Sequence, residues 1–451
     1  MSDTPLLIQG AELVTMDPAG RVLRGDLLVE QGRIVALGDD VEAPEGARRL
    51  DARGLTCIPG LVQTHIHLCQ SLFRNMADDL VLIDWLRQRI WPFEGALSES
   101  SMRASVDYGL AELIRGGTTT LLDMGTVHHT DVIGEALAQS GIRAWFGKAM
   151  MDEGDEIPAS LQETRAGSVR ESLALAERWH GEAGGRLRYA FCPRFAFSCS
   201  SGLLQDVGDI LADAPYLLHT HANETRWEVE ESQRRWGTTN IDHLHQARLT
   251  GPRSVFAHGV HLDDSEVQQL AHTDTCVTHC PSSNLKLASG VANVPRLWDA
   301  GIRVGLGADG APCNNNLDGF VEMRLAALLQ KPIHGPTAMP AERVLQLATI
   351  DGARVLGWDD EVGSLEVGKS ADLVLLDLNQ PHHGVSGEAA EALGASVYAR
   401  VVYSAHASDV RHVFASGQQL VADGELVHYD VEALQRRGQE ATRAIARTLL
   451  G

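Results

Sequence analysis

Between residues 57 and 310 the chain repeats one pattern of hydrophobic and polar positions. Each repeat has a short apolar run rich in strand-forming residues, a polar tip, and a longer stretch whose apolar residues recur with helical spacing. The apolar runs occupy residues 57–67, 118–125, 143–150, 186–194, 216–224, 254–261, 274–284 and 302–310. Eight alternations of strand and helix are typical of a (β/α)₈ barrel, so we predict an α/β fold of the TIM-barrel type.

Both ends of the chain follow a different pattern. Residues 5–56 and 363–428 alternate short apolar runs with turns, among them "DPAG" and "QGR" in the first segment. Because neither segment is large enough to bury a core comfortably alone, we expect both to form one small composite β-sandwich domain. The predicted domains are residues 58–360 for the barrel and residues 1–57 plus 361–451, including a C-terminal helix, for the composite domain.

Composition narrows the classes of function. The 451 residues carry a formal net charge of -22, and they lack the clustered Lys and Arg that a general nucleic-acid binder needs. No apolar run approaches the roughly 20 residues that span a bilayer, and the N-terminal residues lack the pattern of a secretory leader. Seven scattered cysteines, an odd number, favour reduced thiols over disulfides. We expect a cytoplasmic protein without nucleic-acid or membrane partners.

The polar tips of the predicted strands are the candidate site, because barrel enzymes place their active sites at the carboxyl ends of the strands. The tips carry His65, His67, His221, Glu224, His258, His279 and Asp309. Side chains at positions i and i+2 of a strand share a face, so His65 and His67 both point into the barrel mouth. Imidazoles so placed can bind Zn²⁺ or Fe²⁺. His219 and His221 form a second such pair, and spacing alone leaves open which of them binds metal.

Simpler interpretations exist for single members of this set. A lone His-x-His pair could be two hydrogen-bonded histidines in a polar barrel mouth, and His279 could be a hydrogen-bonded core histidine. Taken together, the tips indicate a hydrolytic metal centre in which Asp309 could bind metal and accept a proton from water. The cytidine-deaminase scaffold is excluded, because its P-C-x-x-C motif is absent.

The motifs "PGLVQTHIH", "HANE", "AHGVH", "HCPSSN" and "GLGADG", followed by "GSLEVGKSADLVLLD", resemble those of the amidohydrolase superfamily. The similarity is to its branch of nucleobase and nucleoside deaminases and s-triazine hydrolases, and it implies a metal-dependent aminohydrolase that acts on the C–N bond of a cyclic amidine. The metal ligands that it implies are His65, His67, His221 and Asp309. It makes Glu224 the proton shuttle and His258 the residue that orients the attacking water. Because the fourth strand carries Arg194 and no lysine for carboxylation, the resemblance implies one divalent metal per chain, zinc first and iron as the alternative.

The resemblance also bears on the substrate. Residues 307–331 and 71–86 are similar to bacterial deaminases of 5'-deoxyadenosine, methylthioadenosine and S-adenosylhomocysteine, which implies an adenosine-type nucleoside. In those relatives the residues that match Trp85 and Glu94 lie near the sugar. The expected partner is therefore a small heterocyclic molecule, and we expect the protein to be a homo-oligomer.

Two alternatives stay open. Gln70 and Arg194 resemble residues that hold the base in guanine deaminases, so the substrate could be guanine or 8-oxoguanine. Arg194 could equally reach a nucleoside's sugar side or pair with a carboxylate. The segment "ATIDGAR" (348–354) and a glutamine after His-x-His are shared with triazine hydrolases, so an s-triazine amino- or chlorohydrolase is the other alternative.

Overall fold

The computed structural model describes residues 4–154 and 157–451. Its strands, in chain order, are β1 (Leu6–Val14), β2 (Val22–Glu30), β3 (Arg33–Gly38), β4 (Arg48–Asp51), β5 (Thr56–Pro59), β6 (Leu61–Ile66), β7 (Thr118–Met124), β8 (Arg143–Gly147), β9 (Ala149–Met150), β10 (Leu187–Pro193), β11 (Leu217–Ala222), β12 (Ser254–His258), β13 (Cys276–His279), β14 (Val304–Leu306), β15 (Leu373–Leu376), β16 (Val410–Ala415), β17 (Gln418–Ala422) and β18 (Glu425–Leu426). They form two separate sheets.

Helices occupy most of the segments between the strands. In chain order they are α1 (Leu82–Trp85), α2 (Trp91–Gly95), α3 (Glu99–Arg115), α4 (Thr130–Ser140), α5 (Arg165–Trp179), α6 (Ser201–Asp213), α7 (Arg226–Trp236), α8 (Asn240–Gln246), α9 (Asp264–His272), α10 (Pro281–Lys286), α11 (Val294–Asp299), α12 (Ala311–Asn314), α13 (Gly319–His334), α14 (Ala341–Leu347), α15 (Ile350–Val355), α16 (Glu388–Ala392), α17 (Val397–Ala399) and α18 (Val431–Leu450). Within the described residues, no helix is both long and apolar enough to cross a membrane.

The first sheet is the predicted barrel. Parallel strands follow the order β6, β7, β8, β10, β11, β12, β13, β14, and the short β9 extends the third strand beside β10. Every residue of β7 and β12 is buried, as expected of parallel strands covered on both faces. This arrangement confirms the predicted fold class.

The barrel comes close to closing between its first and last strands. Asp309 N donates to His65 O at 3.0 Å, and Ile66 forms a parallel bridge with Asp309. A Cβ on Gly307 would lie 2.8 Å from His65 O, so glycine lets the two strands approach this closely. The approach places the Asp309 side chain next to the first strand's histidines.

The second sheet is built from both ends of the chain, as predicted. Its strand order is β18, β17, β16, β15, β5, β1, β2, β3, with β4 beside β1. β5 joins the two halves, because it pairs in parallel with β1 and antiparallel with β15. We call this sheet the small sheet. The predicted domain boundary between residues 57 and 58 lies inside β5, and it stays a prediction.

The C-terminal helix α18 packs on the barrel, although the predicted domain boundaries place it in the composite domain. Arg437 of α18 donates to Asp107 of α3 at 2.9 Å, and Gln435 donates to Tyr108 at 2.7 Å. The helix therefore links the end of the chain to the outer layer of the barrel.

Candidate active site and metal centre

Four of the predicted site residues meet at the carboxyl ends of three barrel strands. His65 lies near the end of β6, and His67 follows that strand. His221 lies in β11, and Asp309 follows β14. One donor atom from each side chain lies within 4.8 Å of the others. His65 Nε2 and His67 Nε2 lie 3.2 and 3.4 Å from Asp309 Oδ1, and His67 Nε2 lies 3.2 Å from His221 Nε2. We call these four residues the barrel cluster.

The barrel cluster suits a divalent metal. His65 Nε2 is buried and lies 3.2 Å from Asp309 Oδ1 without the geometry of a hydrogen bond, so within the described residues this nitrogen is free to bind a metal. Burial lowers the pKa of all three imidazoles, that of His67 to about 3, so each ring is neutral as a metal ligand must be. Burial alone would raise the pKa of Asp309, but the adjacent histidines, His65 foremost, hold it well below its usual range. Neutral imidazoles beside one carboxylate are a common zinc donor set.

Each of the three histidines is oriented by an acceptor behind it. His67 Nδ1 lies 2.7 Å from Met124 O, and His221 Nδ1 lies 2.6 Å from Arg194 O. His65 Nδ1 lies 2.7 Å from a ring nitrogen of His219. Such partners fix which ring nitrogen faces a metal.

His219 and His221 therefore have different positions, although spacing could not separate them. His219 Nδ1 lies 2.9 Å from Val255 O, so both of its ring nitrogens are engaged away from the cluster centre. His221 Nε2 faces the cluster. The geometry favours His221 as the residue that could bind metal, with His219 supporting His65.

Glu224 and His258 lie beside the barrel cluster. His258 Nε2 is 3.4 Å from Glu224 Oε2 and 3.8 Å from Asp309 Oδ2, and it has no hydrogen-bond partner among the described residues. His258 Nδ1 is 2.8 Å from Asn284 Oδ1. Burial and the charge of Asp309 raise the pKa of Glu224 to about 8, which suits a group that must carry a proton near neutral pH.

The backbone is strained at two of these positions. Asp309 has φ of 62° and His258 has φ of 79°, both in the left-handed region that non-glycine residues seldom adopt. Each such residue costs on the order of 1–3 kcal/mol and persists only where the surrounding structure holds it, as often occurs at active sites.

Glu228 lines the same cavity as Glu224, and the sequence analysis did not predict it as a site residue. It is fully buried one helical turn after Glu224, and its carboxylate accepts hydrogen bonds from the backbone N–H groups of Glu224 and Thr225. The T-x-x-E spacing of Thr225 and Glu228 is a capping box that starts α7. That spacing was the available signal in the sequence.

Three of the four residues predicted to contact substrate form one buried network. Arg194 donates to Glu94 through Nη1 at 2.7 Å and Nη2 at 3.1 Å. Gln70 and Thr126 donate to the same carboxylate at 2.8 and 2.9 Å. Arg194 thus pairs with a carboxylate, the simpler of the interpretations that the sequence allowed, and it is 3% exposed. Trp85 lies nearby and is also buried.

A cavity leads from solvent to the barrel cluster. It has about 390 Å³ of empty space out to its mouth, and its enclosed interior is narrow. Polar residues line its floor, while Leu82, Trp85, Leu86 and Phe195 form an apolar wall. Gln70 and Arg194 also line it, and Glu94 reaches it only through them. An apolar cavity with a few converging polar groups is the usual form of a small-molecule site.

His279 takes no part in the barrel cluster. It is buried, and neither of its ring nitrogens has a hydrogen-bond partner in the parts of the chain that the structure describes. Burial lowers its pKa to about 4, so the ring is neutral. The expectation of a hydrogen-bonded core histidine is therefore met only in its burial.

The chain is similar to known proteins over most of its length. The sequence profile of the amidohydrolase family matches residues 56–420. A 5'-deoxyadenosine deaminase of Methanothermobacter thermautotrophicus is 39% identical over 94% of this chain and 95% of its own. A 5-methylthioadenosine/S-adenosylhomocysteine deaminase of Desulforudis audaxviator is 37% identical over 98% of this chain and 99% of its own. A zinc-bound adenosine deaminase structure from Xanthomonas campestris matches 99% of each chain with a TM-score of 0.91 and 31% identity. The chain therefore belongs to the amidohydrolase family, which confirms the resemblance found in its motifs.

Proposed function

We propose that the protein is a metal-dependent deaminase that hydrolyses the exocyclic amine of an adenosine-type nucleoside. The observation that carries this proposal is the convergence of the barrel cluster with Glu224 and His258 at the floor of one cavity. The preferred substrates are 5'-deoxyadenosine, methylthioadenosine and S-adenosylhomocysteine, because similar proteins of nearly the same length carry deaminase names for these compounds.

We propose one divalent metal per chain at the barrel cluster, zinc first and iron as the alternative. The ligands would be His65, His67, His221 and Asp309, whose donor atoms lie close together and whose histidines are neutral. When bound, such an ion lowers the pKa of a coordinated water from 15.7 toward about 7 and so supplies a nucleophile at neutral pH.

The surrounding residues would handle the protons. Asp309 accepts a proton from the attacking water, and His258, held by Asn284, keeps that water in line. Glu224 protonates a ring nitrogen of the purine, which makes the adjacent carbon electrophilic. The proton that Asp309 took from water then passes to the amine, so that ammonia leaves, and the hydroxyl proton of the adduct returns to Glu224. Its raised pKa supports this role, because a carboxyl group that remains protonated near neutral pH can act as an acid.

The pair of Arg194 and Glu94 bears on substrate choice. An unpaired guanidinium facing adenine would be costly, but both Nη atoms of Arg194 donate to Glu94, so an adenine ring need not offer it an oxygen. The pair therefore removes the main objection to an adenosine-type substrate.

A guanine or 8-oxoguanine deaminase is the second candidate. Gln70 and Arg194 lie side by side at the cavity wall, and Arg194 keeps further N–H groups that could donate to a ring carbonyl. This placement is the observation that favours the second candidate.

A screen for ammonia release decides between them. The metal-loaded protein would be tested against adenosine analogues, guanine, 8-oxoguanine, pterins and s-triazines, with Glu224→Gln as the control for contaminating activity. We expect the highest kcat/KM for an adenosine-type nucleoside. Guanine or 8-oxoguanine as the best substrate would establish the second candidate, and chloride or alkylamine release from a triazine would establish a triazine hydrolase.

A further inference from the structure

A second cluster of histidine and aspartate lies beside the small sheet, away from the barrel cavity. His382 and His383 belong to the 3₁₀ turn Pro381–His383, and Asp409 ends the 3₁₀ turn Ala407–Asp409 that precedes β16. The Nε2 atoms of both histidines lie 3.1 Å from Asp409 Oδ2. One donor atom from each residue lies within 4.8 Å of the others, as in the barrel cluster. We call these three residues the outer cluster.

The spacing of the outer cluster matches that of metal ligands. A tetrahedral zinc ion holds nitrogen and oxygen ligands at about 2.0–2.2 Å, which separates neighbouring ligand atoms by about 3.3 Å. The distances of 3.1 Å in the outer cluster and of 3.2 and 3.4 Å in the barrel cluster lie close to this value. Because both Nε2 atoms face the same oxygen, a cation could replace their protons with little movement of either ring.

The surroundings leave one side of the outer cluster open to water. His383 and Asp409 have side chains 0% and 4% exposed, whereas that of His382 is 41% exposed. Asp409 Oδ2 also accepts a hydrogen bond from His406 N at 2.9 Å. Burial lowers the pKa of His383, and the charges of His382 and Arg400 lower it further against the opposing effect of Asp409. A nearby guanidinium and an open coordination position both weaken cation binding, so the outer cluster should hold a metal less tightly than the barrel cluster.

We propose that the outer cluster binds a divalent transition metal such as Zn²⁺ through His382, His383 and Asp409, with water completing the coordination. The ion would join the turn after β15 to the turn before β16 and so stabilise the small sheet. The three residues do not line the barrel cavity, so the ion would have a structural role.

Calorimetric titration with Zn²⁺ tests this proposal. The protein would retain its barrel metal and be freed of loosely held metal with a mild chelator. We expect one further equivalent of zinc per chain. His383→Ala should abolish its binding, and His382→Gln, a change at a partly exposed side chain that the fold should tolerate, should weaken it at least about tenfold. The matched control is His428→Ala, an exposed histidine beyond β18, which should bind the further equivalent like the wild type.

Two further measurements distinguish zinc binding at the outer cluster from zinc binding at the barrel cluster. His65→Ala should lose the barrel metal and still bind zinc at the outer cluster. Excess zinc should raise the melting temperature of the wild type by about 2 °C or more, and it should leave that of His383→Ala unchanged. A wild type that binds no further equivalent would overturn the proposal, as would His382→Gln and His383→Ala variants that bind it as tightly as the wild type.

Discussion

The barrel cluster and the outer cluster contain the same kinds of donor and differ in what surrounds them. In the barrel, all three histidines are held from behind by Met124 O, Arg194 O and the ring of His219, and the floor of the cavity also holds Glu224. In the outer cluster, Asp409 is the shared partner of both histidines, and one of them is 41% exposed. We infer from the comparison that a set of metal-ligand atoms is not sufficient for hydrolysis. A hydrolytic metal centre also needs oriented ligands, an enclosed cavity and a proton donor.

The largest expected effect comes from removing a barrel ligand. His67→Ala should release the metal and lower kcat/KM by about 10³-fold or more, because activation of water by the metal lowers the free-energy barrier of the reaction by several kcal/mol. Elemental analysis and the ammonia assay measure the two losses. The control is His128→Ala, an exposed histidine beyond β7, which should keep both metal and rate. A His67→Ala protein with full metal content would contradict the ligand assignment.

Glu224→Gln tests the proton donor that we propose beside the barrel cluster. We expect the metal and the fold to persist while kcat falls by about 10²-fold or more, because the amide cannot transfer the proton. Steady-state kinetics with metal analysis of the same sample measures this. Loss of metal with only a mild loss of rate would reverse the roles and make Glu224 a ligand.

His219→Ala tests the value of the residues behind the ligands. His219 contacts His65 Nδ1 and does not face the cluster centre, so its removal should weaken metal affinity by about 10–100-fold without abolishing binding. Competition with a metal-binding dye gives the affinity. An affinity equal to that of the wild type would show that this second layer does not matter, and the contrast between the two clusters would then rest on enclosure alone.

Arg194→Ala should have the smallest effect on the chemical step. It removes a buried partner of Glu94, so we expect a loss of about 3–5 kcal/mol in the free energy of unfolding. KM for the nucleoside should rise about tenfold with little change in kcat, because the adenosine-type proposal gives Arg194 a contact to the sugar side and none to the reacting atoms. Adding Glu94→Gln should recover part of the stability and leave KM high.

The same variant can overturn the choice of substrate. Efficient guanine deamination by the wild type that Arg194→Ala abolishes would show that the guanidinium grips a ring carbonyl. The adenosine-type preference would then be wrong.

Much of the fold was predictable, because buried parallel strands appear in the sequence as apolar runs that end in polar residues. The same rule predicts that His65 and Asp309 lie at one end of the barrel, where the two side chains are in contact. The roles of the site residues stay predictions. The pair of Arg194 and Glu94 could not be predicted, because the two residues are far apart in sequence and meet only through the packing of the cavity wall.

Two other features left a weak signal that spacing could not resolve. The adjacent His382 and His383 stand out in the sequence, but their partner Asp409 comes from a separate turn that the small sheet brings near. The choice between His219 and His221 depended on the neighbour of each Nδ1 atom, which is Val255 O of β12 for His219 and Arg194 O beyond β10 for His221. Strand periodicity alone gives both residues the same face.

Stepwise reconstitution with zinc tests most directly whether the barrel cluster is the catalytic centre. Both clusters would be emptied with a strong chelator, and bound zinc and ammonia release from 5'-deoxyadenosine would be measured after each addition. We predict that activity reaches its full value at one equivalent, while binding continues into a second equivalent without further gain in rate. Full activity in the metal-free protein, or activity that rises in proportion up to two equivalents, would contradict a single catalytic metal in the barrel.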